Sequence, residues 1–348
     1  MGTVKRLAEE IERGLDRVHP GLRKTVTRKL AVTVAAVLQT QTANTAAWAA
    51  VLPIDTERDD MRLQWIARLL GNPLVDCARI MAPLAQERLS TAAANGQVVV
   101  LSMDQTDLGH RFAILMVSVR VGERALPLIW TAEAGAANLG FEAQRTLLER
   151  VCAWLPADAT VLLAADRFYP SAPLLAWLKA HGWGYRLRLK GNHVLDIGCA
   201  DVTCTGDFAR GVEQRFAVGA RLFESAVETN LGVLHEAGHP EPWIVAMDCI
   251  PTVAAVRDYG LRWGIEPMFS DFKSRGFGLE DTQLRYPERV ERLVLMLTLA
   301  MYWCVETGYR DARDAPTPLE KKAPSRAIPT TGVYANSLAP ACRGSSAV

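Results

Sequence analysis

The sequence contains no hydrophobic run long enough to cross a membrane. The longest candidate, residues 293–305, is interrupted by Thr298, whereas a spanning helix needs ~18–20 consecutive apolar residues. We therefore expect a buried helix there and no membrane association. The N-terminus does not resemble a signal peptide, because acids accompany its basic residues and no apolar segment follows them.

Cysteine is sparse, and neither sign of charge dominates. The chain of 348 residues contains seven scattered cysteines, which we expect to be reduced thiols in the cytoplasm because nothing indicates export. The formal net charge is +1. The composition therefore does not indicate a nucleic-acid-binding protein, and any contact with nucleic acid would depend on local clusters of basic residues.

The remaining composition is that of a folded protein. Hydrophobic residues make up 49% and charged residues 22% of the chain, which is ordinary for globular proteins. Residues 1–96 are rich in Ala and Leu at three- and four-residue spacing, which predicts a helical domain. The first 30 residues contain eight Lys or Arg and four acids, as expected either of a solvated helix face or of a DNA-binding domain.

Residues 97–192 alternate between strand and helix patterns. Short apolar runs indicate strands, and the sequence GER between two of them indicates a hairpin. The predicted strands are 98–104, 111–121, 125–130, 160–166 and 184–192, and the predicted helices are 141–154 and about 170–181. Together they predict an α/β fold, a mixed sheet flanked by helices.

The regular pattern stops at residue 193. Residues 193–247 contain many glycines and short β-like segments, which predicts a β-rich insertion. Helical patterns resume near Thr252 and again over 288–306, so residues 248–308 are expected to form the second part of the α/β domain. Residues 309–348 are rich in Pro, Ala, Ser and Arg without periodicity, which predicts a flexible tail.

Two apolar strands are predicted to end in an aspartate, at Asp104 and Asp166. Such strand ends border the sites of open α/β sheets, although a single acid there is often structural. Together with Glu266, they would repel one another unless a divalent cation neutralised them. Oxygen ligands favour Mg²⁺ or Mn²⁺, and a pair of ions suits phosphoryl transfer. Asp107 is a rival for Asp104, which we favour because Asp107 is expected to lie in the following loop.

Glu266 lies in the segment YGLRWGIEPMFSDFK, residues 259–273. On one helix, the Tyr, Arg, Glu and Lys of this segment would project in a narrow stripe. These residues are Tyr259, Arg262, Glu266 and Lys273. Pro267 opposes a straight helix because it lacks an N–H and crowds the preceding turn. The helix could kink there, or a new helix could begin with Pro267 in its first turn, and a kink would rotate Lys273 away from Glu266.

The spacing Y-(2)-R-(3)-E-(6)-K resembles the signature of the DDE transposases of bacterial insertion sequences, in the insertion-sequence-four group. Neighbouring segments are similar as well: RWGIE and FSDFKS surround the Glu, and ERVERLVLMLTLAMYW follows. ADRFY, with RLRLKGN some twenty residues later, resembles the block of the second aspartate, and SMDQTD resembles that of the first. The resemblance covers residues 97–308.

The resemblance implies an RNase H-like catalytic domain, interrupted by a β-rich insertion and preceded by a helical DNA-binding domain. The implied catalytic residues, which would hold two Mg²⁺ ions with Mn²⁺ as a substitute, are Asp104, Asp166 and Glu266. The implied contacts with phosphates of the transposon end are Tyr259, Arg262 and Lys273. The chemistry agrees, because Arg offers a phosphate a bidentate fork and Lys a point charge.

The implied function is DNA transposition, with metal-dependent cleavage at transposon ends and attack of the freed 3′-hydroxyl on DNA. The implied partners are double-stranded DNA, at the inverted repeats and the target, and a second copy of the chain in a synaptic homodimer. The enzyme would be cytoplasmic, and associated with the nucleoid when bound to DNA. Two alternatives stay open: an RNase H-like metal-dependent nuclease without strand transfer, and a non-catalytic or decayed transposase-derived DNA-binding protein.

Four further residues support less specific hypotheses. Arg186, Arg188 and Lys190 share one face of their predicted strand. They could contact a DNA backbone or form a solvated edge. Trp243 could stack on an extruded base, although packing in the core is the favoured interpretation.

The segment HEAGH, residues 235–239, fits the H-E-x-x-H pattern of zinc peptidases. That chemistry needs a helix, and the Gly and Pro residues in and around the segment oppose one. A structural zinc is a second hypothesis, with an unusual spacing of its ligands. These would be Cys199, Cys204, His235 and His239. We favour an exposed loop with ordinary histidines.

Overall fold

The computed structural model describes residues 3–224, 226–238 and 240–314. Its N-terminal part is helical. The helices are α1 (Thr3–Val18), α2 (Lys24–Thr40), α3 (Thr45–Val51), α4 (Asp59–Leu70) and α5 (Cys77–Ala93). Side-chain caps begin two of them: Asn44 accepts a hydrogen bond from the N–H of Ala46 before α3, and Asp76 accepts one from the N–H of Arg79 before α5.

Strands begin at residue 99, and in the described part of the chain they join one nine-stranded sheet. They are β1 (Val99–Leu108), β2 (Phe112–Val121), β3 (Arg124–Ala134), β4 (Val161–Ala165), β5 (Gly184–Arg188), β6 (Leu195–Asp196), β7 (Gln214–Leu222), β8 (Val227–Leu234) and β9 (Trp243–Met247). Their order across the sheet is β3-β2-β1-β4-β5-β9-β8-β7-β6.

The first five strands have an RNase H-like arrangement, which confirms the predicted fold class. β1, β2 and β3 form an antiparallel meander, and β4 and β5 run parallel to β1. Two helices, α6 (Phe141–Trp154) and α7 (Ala172–Ala180), precede β4 and β5. β4 is buried along its whole length, as is typical of a parallel strand with both faces of its sheet covered.

The β-rich segment after β5 extends this same sheet. Residues 193–247 contain β6 to β9 and a short helix, α8 (Thr205–Ala209). β9 pairs antiparallel with β5, and β8, β7 and β6 continue outward from it. These strands therefore share the hydrogen bonding of the RNase H-like strands and do not form a sheet of their own.

The segment after β9 is not one straight helix. α9 (Val253–Arg257) leads into a 3₁₀-helix (Asp258–Gly264), and α10 (Ile265–Phe272) follows it. Pro267 lies in the first turn of α10, where a missing N–H breaks no helical hydrogen bond. Of the two geometries expected from Pro267, the structure has the new helix.

The last helix, α11 (Pro287–Asp314), is longer than its sequence pattern predicts. It includes the predicted helix at 288–306 and continues beyond residue 309, so the predicted tail is wrong for residues 309–314. Arg310 lies over the ring of Trp303, 5.8 Å from its centre, a contact that supports the extra turns. Residues 315–348 lie outside the described residues. No helix in the described part of the chain has the length and apolar character to cross a membrane.

In the part of the chain that the structure describes, the buried apolar side chains form two clusters. The larger one continues from the N-terminal helices through the sheet to α11, so those helices and the strands share a core. The smaller one lies between β8, β9 and α9 and includes Trp243 and Tyr259. It joins the inserted strands to the 3₁₀-helix.

Gly232 of β8 provides a test of the smaller cluster. A Cβ at this position would lie 2.4 Å from Val256 Cγ2 and 3.1 Å from Met247 Cε, and overpacking a buried contact costs about 1–3 kcal/mol. We expect Gly232→Ala to lower the free energy of unfolding in urea by about this amount. Gly21→Ala is the control, because a Cβ at Gly21 meets no atom within 4 Å. Wild-type stability of Gly232→Ala would contradict the packing.

Candidate active site

The register of β1 and β4 places Asp104 and Asp166 at the same level of the sheet. Met103 is paired with Ala165 in the parallel register, and each aspartate is the next residue along its chain. Neighbouring parallel strands keep equivalent residues side by side. The charge of Asp166 consequently acts on the Asp104 carboxyl.

β1 does not end at Asp104, as the apolar run predicts. It continues to Leu108, because the hairpin with β2 keeps pairing through Asp107 and Ala113. Asp107 therefore lies in the strand, not in a loop, and its exposed carboxylate accepts a hydrogen bond from Gln105 (2.9 Å). What distinguishes Asp104 from Asp107 is its position beside the end of β4.

Three residues of the segment 259–273 form a hydrogen-bonded cluster with the two aspartates. They are Tyr259, Arg262 and Glu266. Arg262, in the 3₁₀-helix, donates from Nη1 to Asp104 Oδ2 (2.6 Å) and from Nη2 to Glu266 Oε1 (2.7 Å). Its Nε donates to the Tyr259 hydroxyl (3.1 Å), which donates to Asp166 Oδ1 (3.1 Å). The guanidinium thus connects all three carboxylates, two directly and one through the phenol.

Burial and opposite charges determine the protonation of this cluster. Burial disfavours the charge of Arg262, but Tyr259 and the three carboxylates outweigh it and raise the pKa, so the guanidinium stays charged. Burial raises the pKa of Asp104; Arg262 opposes this shift and Asp166 adds to it. Burial also raises the pKa of Tyr259 to about 12, so its hydroxyl remains a donor at neutral pH.

Tyr169 is a member of the cluster that the sequence pattern does not indicate by itself. The residue is 2% exposed, and its hydroxyl donates to Asp104 Oδ1 (3.2 Å). It lies in the turn after β4, where its N–H donates to the Asp166 carbonyl (3.2 Å). The three-residue spacing from Asp to Tyr in ADRFY is the signal that could have identified it, because one turn brings both residues to the same place.

The structure corrects the prediction that Arg186 shares an accessible face with Arg188 and Lys190. Arg186 is 0% exposed, because β5 lies between β4 and β9 and its two faces are covered. Its guanidinium donates to Asp248 (2.8 Å), to Asp258 (3.4 Å) and to a backbone carbonyl of α9 (2.9 Å). Arg186 therefore anchors the start of the 3₁₀-helix to the sheet and is not accessible to a phosphate.

The other two basic residues border a cleft of about 590 Å³. Arg188 pairs with Glu241 (3.5 Å), and Lys190 lies over the ring of Phe168, 4.4 Å from its centre. Arg167, directly after the second aspartate, borders the same cleft and also pairs with Glu241 (3.0 Å). A basic and aromatic cleft thus begins next to the carboxylate cluster.

Lys273 does not join the cluster in this structure. α10 ends at Phe272, and Lys273 has left the helical conformation, with φ −93° and ψ −127°. Its Nζ pairs with Glu280 Oε1 (3.0 Å). The single stripe predicted from the spacing is therefore wrong at its last position, because the helix ends before reaching it.

Trp243 is buried, with 8% of its surface exposed. Its ring lies edge-on to those of Tyr259 and Trp263, with 5.3 Å between the ring centres in each pair. The favoured interpretation of core packing is confirmed. Through this packing, the inserted strand β9 supports the residue that contacts Asp166.

The two zinc hypotheses depend partly on His239, which lies outside the described residues. Residues 235–238 form a loop and a turn, not the helix that an H-E-x-x-H site needs. Glu236 pairs with Arg257 (2.7 Å). Cys199 is exposed, and the Cys204 thiol donates to Asp207 (3.2 Å). A zinc shared by these cysteines with His235 and His239 stays a hypothesis.

The carboxylate cluster fits a divalent metal in its chemistry. Asp104, Asp166 and Glu266 offer hard oxygen atoms, the ligands that Mg²⁺ and Mn²⁺ prefer. In this structure Arg262 supplies the positive charge between them, and within the described ranges no group of three His, Cys, Asp or Glu side chains has the geometry of a metal site. Arg262 occupies one oxygen of Asp104 and one of Glu266.

Part of the chain matches a known family. Residues 140–303 match the family model described as the transposase DDE domain. This match supports a DDE transposase. The DDE match begins just before α6, ends within α11, and includes Asp166 and Glu266, while Asp104 precedes it. DDE transposases process nucleic acid with divalent metal ions, generally Mg²⁺, which agrees with a cluster of carboxylates.

Two other comparisons complete the description. No curated protein matches the chain. Among solved structures, the chain is similar to the Argonaute of Marinitoga piezophila in complex with a 5′-OH guide RNA and target DNA. The identity is 6% over 71% of this chain, and the TM-score is 0.26. The chain spans 37% of that protein's length, and a similarity this weak has no bearing on function.

Arg186 and Arg188 test the difference between a buried anchor and a surface cation. Arg186→Met leaves Asp258, whose side chain is 10% exposed, without its cation, and breaking a buried ion pair in this way costs about 3–5 kcal/mol. We expect the free energy of unfolding in urea to fall by about this amount. Arg188→Met is the matched control, with an expected loss of about 1 kcal/mol or less, because its partner Glu241 is 60% exposed. Unchanged stability with weakened DNA binding in Arg186→Met would contradict the anchoring role.

Proposed function

We propose that this chain is a DDE transposase whose catalytic residues are Asp104, Asp166 and Glu266. The observation that carries the proposal is the linkage of all three carboxylates through the guanidinium of Arg262. The acids come from β1, from the end of β4 and from α10, so they are distant in sequence and meet only in the fold. Acidic groups gathered in this way suit a site that binds cations.

The three carboxylates would hold two Mg²⁺ ions, with Mn²⁺ as a substitute. When bound, such ions activate the attacking water or hydroxyl and stabilise the leaving oxygen in phosphoryl transfer. The chain's own residues orient the ligands: Tyr169 donates to Asp104, and Tyr259 donates to Asp166. Burial raises the pKa of both phenols, so each remains a hydrogen-bond donor to its carboxylate.

Double-stranded DNA is the proposed substrate, at the inverted repeats of the transposon and at the target. The proposed phosphate contacts are Arg188 and Lys190 at the cleft, and Tyr259 and Arg262 at the carboxylate cluster. The last two are 1% and 6% exposed, so they could reach a phosphate only after the cluster rearranges. Arg binds a phosphate through two N–H groups and Lys through a point charge. Lys273 could be a further contact only after leaving Glu280.

The proposed reaction is hydrolysis of one strand at the transposon end, followed by attack of the freed 3′-hydroxyl on DNA. The proposed assembly is a synaptic homodimer in the cytoplasm, at the nucleoid when DNA is bound. Residues 1–96 would form the DNA-binding domain, and residues 97–192 and 248–308 the two parts of the catalytic domain around the insertion. The Y-(2)-R-(3)-E-(6)-K spacing supports the insertion-sequence-four group.

Isosteric amides test the catalytic assignment, with Asp107 as the control in the same strand. Asp104→Asn, Asp166→Asn and Glu266→Gln each remove a charged oxygen ligand and keep the size of the side chain. We expect each to slow cleavage of donor DNA carrying the inverted repeats, in Mg²⁺, by about 100-fold or more. Asp107→Asn should cleave at the wild-type rate, because this carboxylate is exposed and lies away from Asp166.

The products of the wild-type reaction separate the proposed function from its alternatives. Donor ends joined to target DNA are the expected products. Cut ends without joined products would indicate a nuclease that lacks strand transfer, and DNA binding without cleavage would indicate a non-catalytic protein. Undiminished cleavage by Asp166→Asn would overturn the assignment of the three carboxylates.

A further inference from the structure

Arg262 occupies one oxygen of each of two carboxylates that are proposed as metal ligands. Its contacts with Asp104 Oδ2 and Glu266 Oε1 measure 2.6 and 2.7 Å, the range of strong charge-assisted hydrogen bonds. Mg²⁺ ligands lie about 2.0–2.1 Å from the ion. An ion bound to the same oxygens would be separated from the guanidinium by a few ångströms, where two cations repel strongly in a buried site. Arg262 and a metal therefore compete for this cluster.

The surroundings of Arg262 favour the guanidinium in this competition. Its side chain is 7% exposed, whereas that of Glu266 is 57% exposed. Tyr259 accepts a hydrogen bond from Nε, and its ring centre lies 5.7 Å from the guanidinium carbon. Three hydrogen bonds and an aromatic face thus hold one cation, and a metal ion at the same oxygens would compete with this arrangement.

A DNA phosphate offers the guanidinium an alternative partner. Arg binds phosphate through two parallel N–H groups, whereas Arg262 now donates one N–H to each of two separate carboxylates. The backbone that carries Arg262 is a 3₁₀-helix between α9 and α10, a geometry with weaker hydrogen bonds that is frequent at hinges. The segment can adjust there while Arg186 holds its start at Asp258.

We propose that Arg262 blocks the divalent-metal site in the DNA-free protein, and that a DNA phosphate opens the site by drawing the guanidinium away. This inference rests on the proposed function, because it takes Asp104, Asp166 and Glu266 as metal ligands. DNA and metal then strengthen each other's binding, since such coupling is reciprocal. The metal therefore binds at this site mainly when DNA is also bound.

Mn²⁺ binding, measured by electron paramagnetic resonance without any reaction, tests the proposal. In full-length protein without DNA, Arg262→Gln should bind Mn²⁺ at least about tenfold more tightly than wild type, because charge-assisted hydrogen bonds no longer compete. Arg257→Gln is the matched control: it removes the same charge from an arginine that pairs with Glu236, away from the cluster, and should bind like wild type. A duplex carrying the inverted repeat should tighten Mn²⁺ binding to wild type but not to Arg262→Gln.

A second variant of Arg262 distinguishes removal of the blocking guanidinium from a general loss of structure at the site. Arg262→Lys keeps the charge but offers no bidentate fork, so its Mn²⁺ affinity should lie between those of wild type and Arg262→Gln. If both Arg262 variants bind Mn²⁺ no more tightly than wild type, Arg262 does not block the site. The proposed function stays intact in that case, provided that wild type binds Mn²⁺ and that Asp166→Asn abolishes this binding. Failure of every variant and of wild type to bind Mn²⁺, with and without DNA, would overturn the metal site and the block together.

Discussion

The interaction on which the site depends is the ionic cluster around the buried guanidinium of Arg262. A buried guanidinium is costly unless carboxylates pair with it, and gathered carboxylates repel one another unless a cation lies among them. The guanidinium and the carboxylates therefore stabilise one another. Two phenols complete it, because Tyr259 donates to Asp166 and Tyr169 donates to Asp104. The result is a set of three carboxylates linked by the protein's own cation.

The sheet and the inserted strands position this cluster from two sides. The parallel register of β1 and β4 places the two aspartates together. On the other side, Arg186 ties β5 to Asp248, after β9, and to Asp258, at the start of the 3₁₀-helix. Trp243 of β9 packs against Tyr259. The last strand of the insertion thus supports the backbone that carries Arg262.

Local pattern predicts much of this arrangement, and long-range pairing accounts for what it misses. Apolar runs and helical spacing predict the mixed α/β fold, including the bounds of α6, and the Tyr-Arg-Glu spacing indicates residues that the structure brings together. Alternation along β5 does not reveal that α9 and the 3₁₀-helix cover the face of Arg186. Nor does the apolar run in β1 show that pairing with β2 continues through Asp107. Lys273 is misplaced because a spacing argument assumes a continuous helix, whereas the segment changes from 3₁₀ to α at Gly264 and ends at Phe272.

Iron-mediated cleavage of the polypeptide locates a bound metal most directly. Fe²⁺ can replace Mg²⁺ at oxygen-ligand sites because it binds such donors more tightly, and with peroxide and ascorbate it generates radicals that cut the nearest backbone. In the complex with inverted-repeat DNA, we predict cuts close to Asp104, Asp166 and Glu266 that excess Mg²⁺ suppresses and that Asp166→Asn abolishes. Cuts confined to other parts of the chain, or the same three cuts in Asp166→Asn, would contradict a metal centre built from these carboxylates.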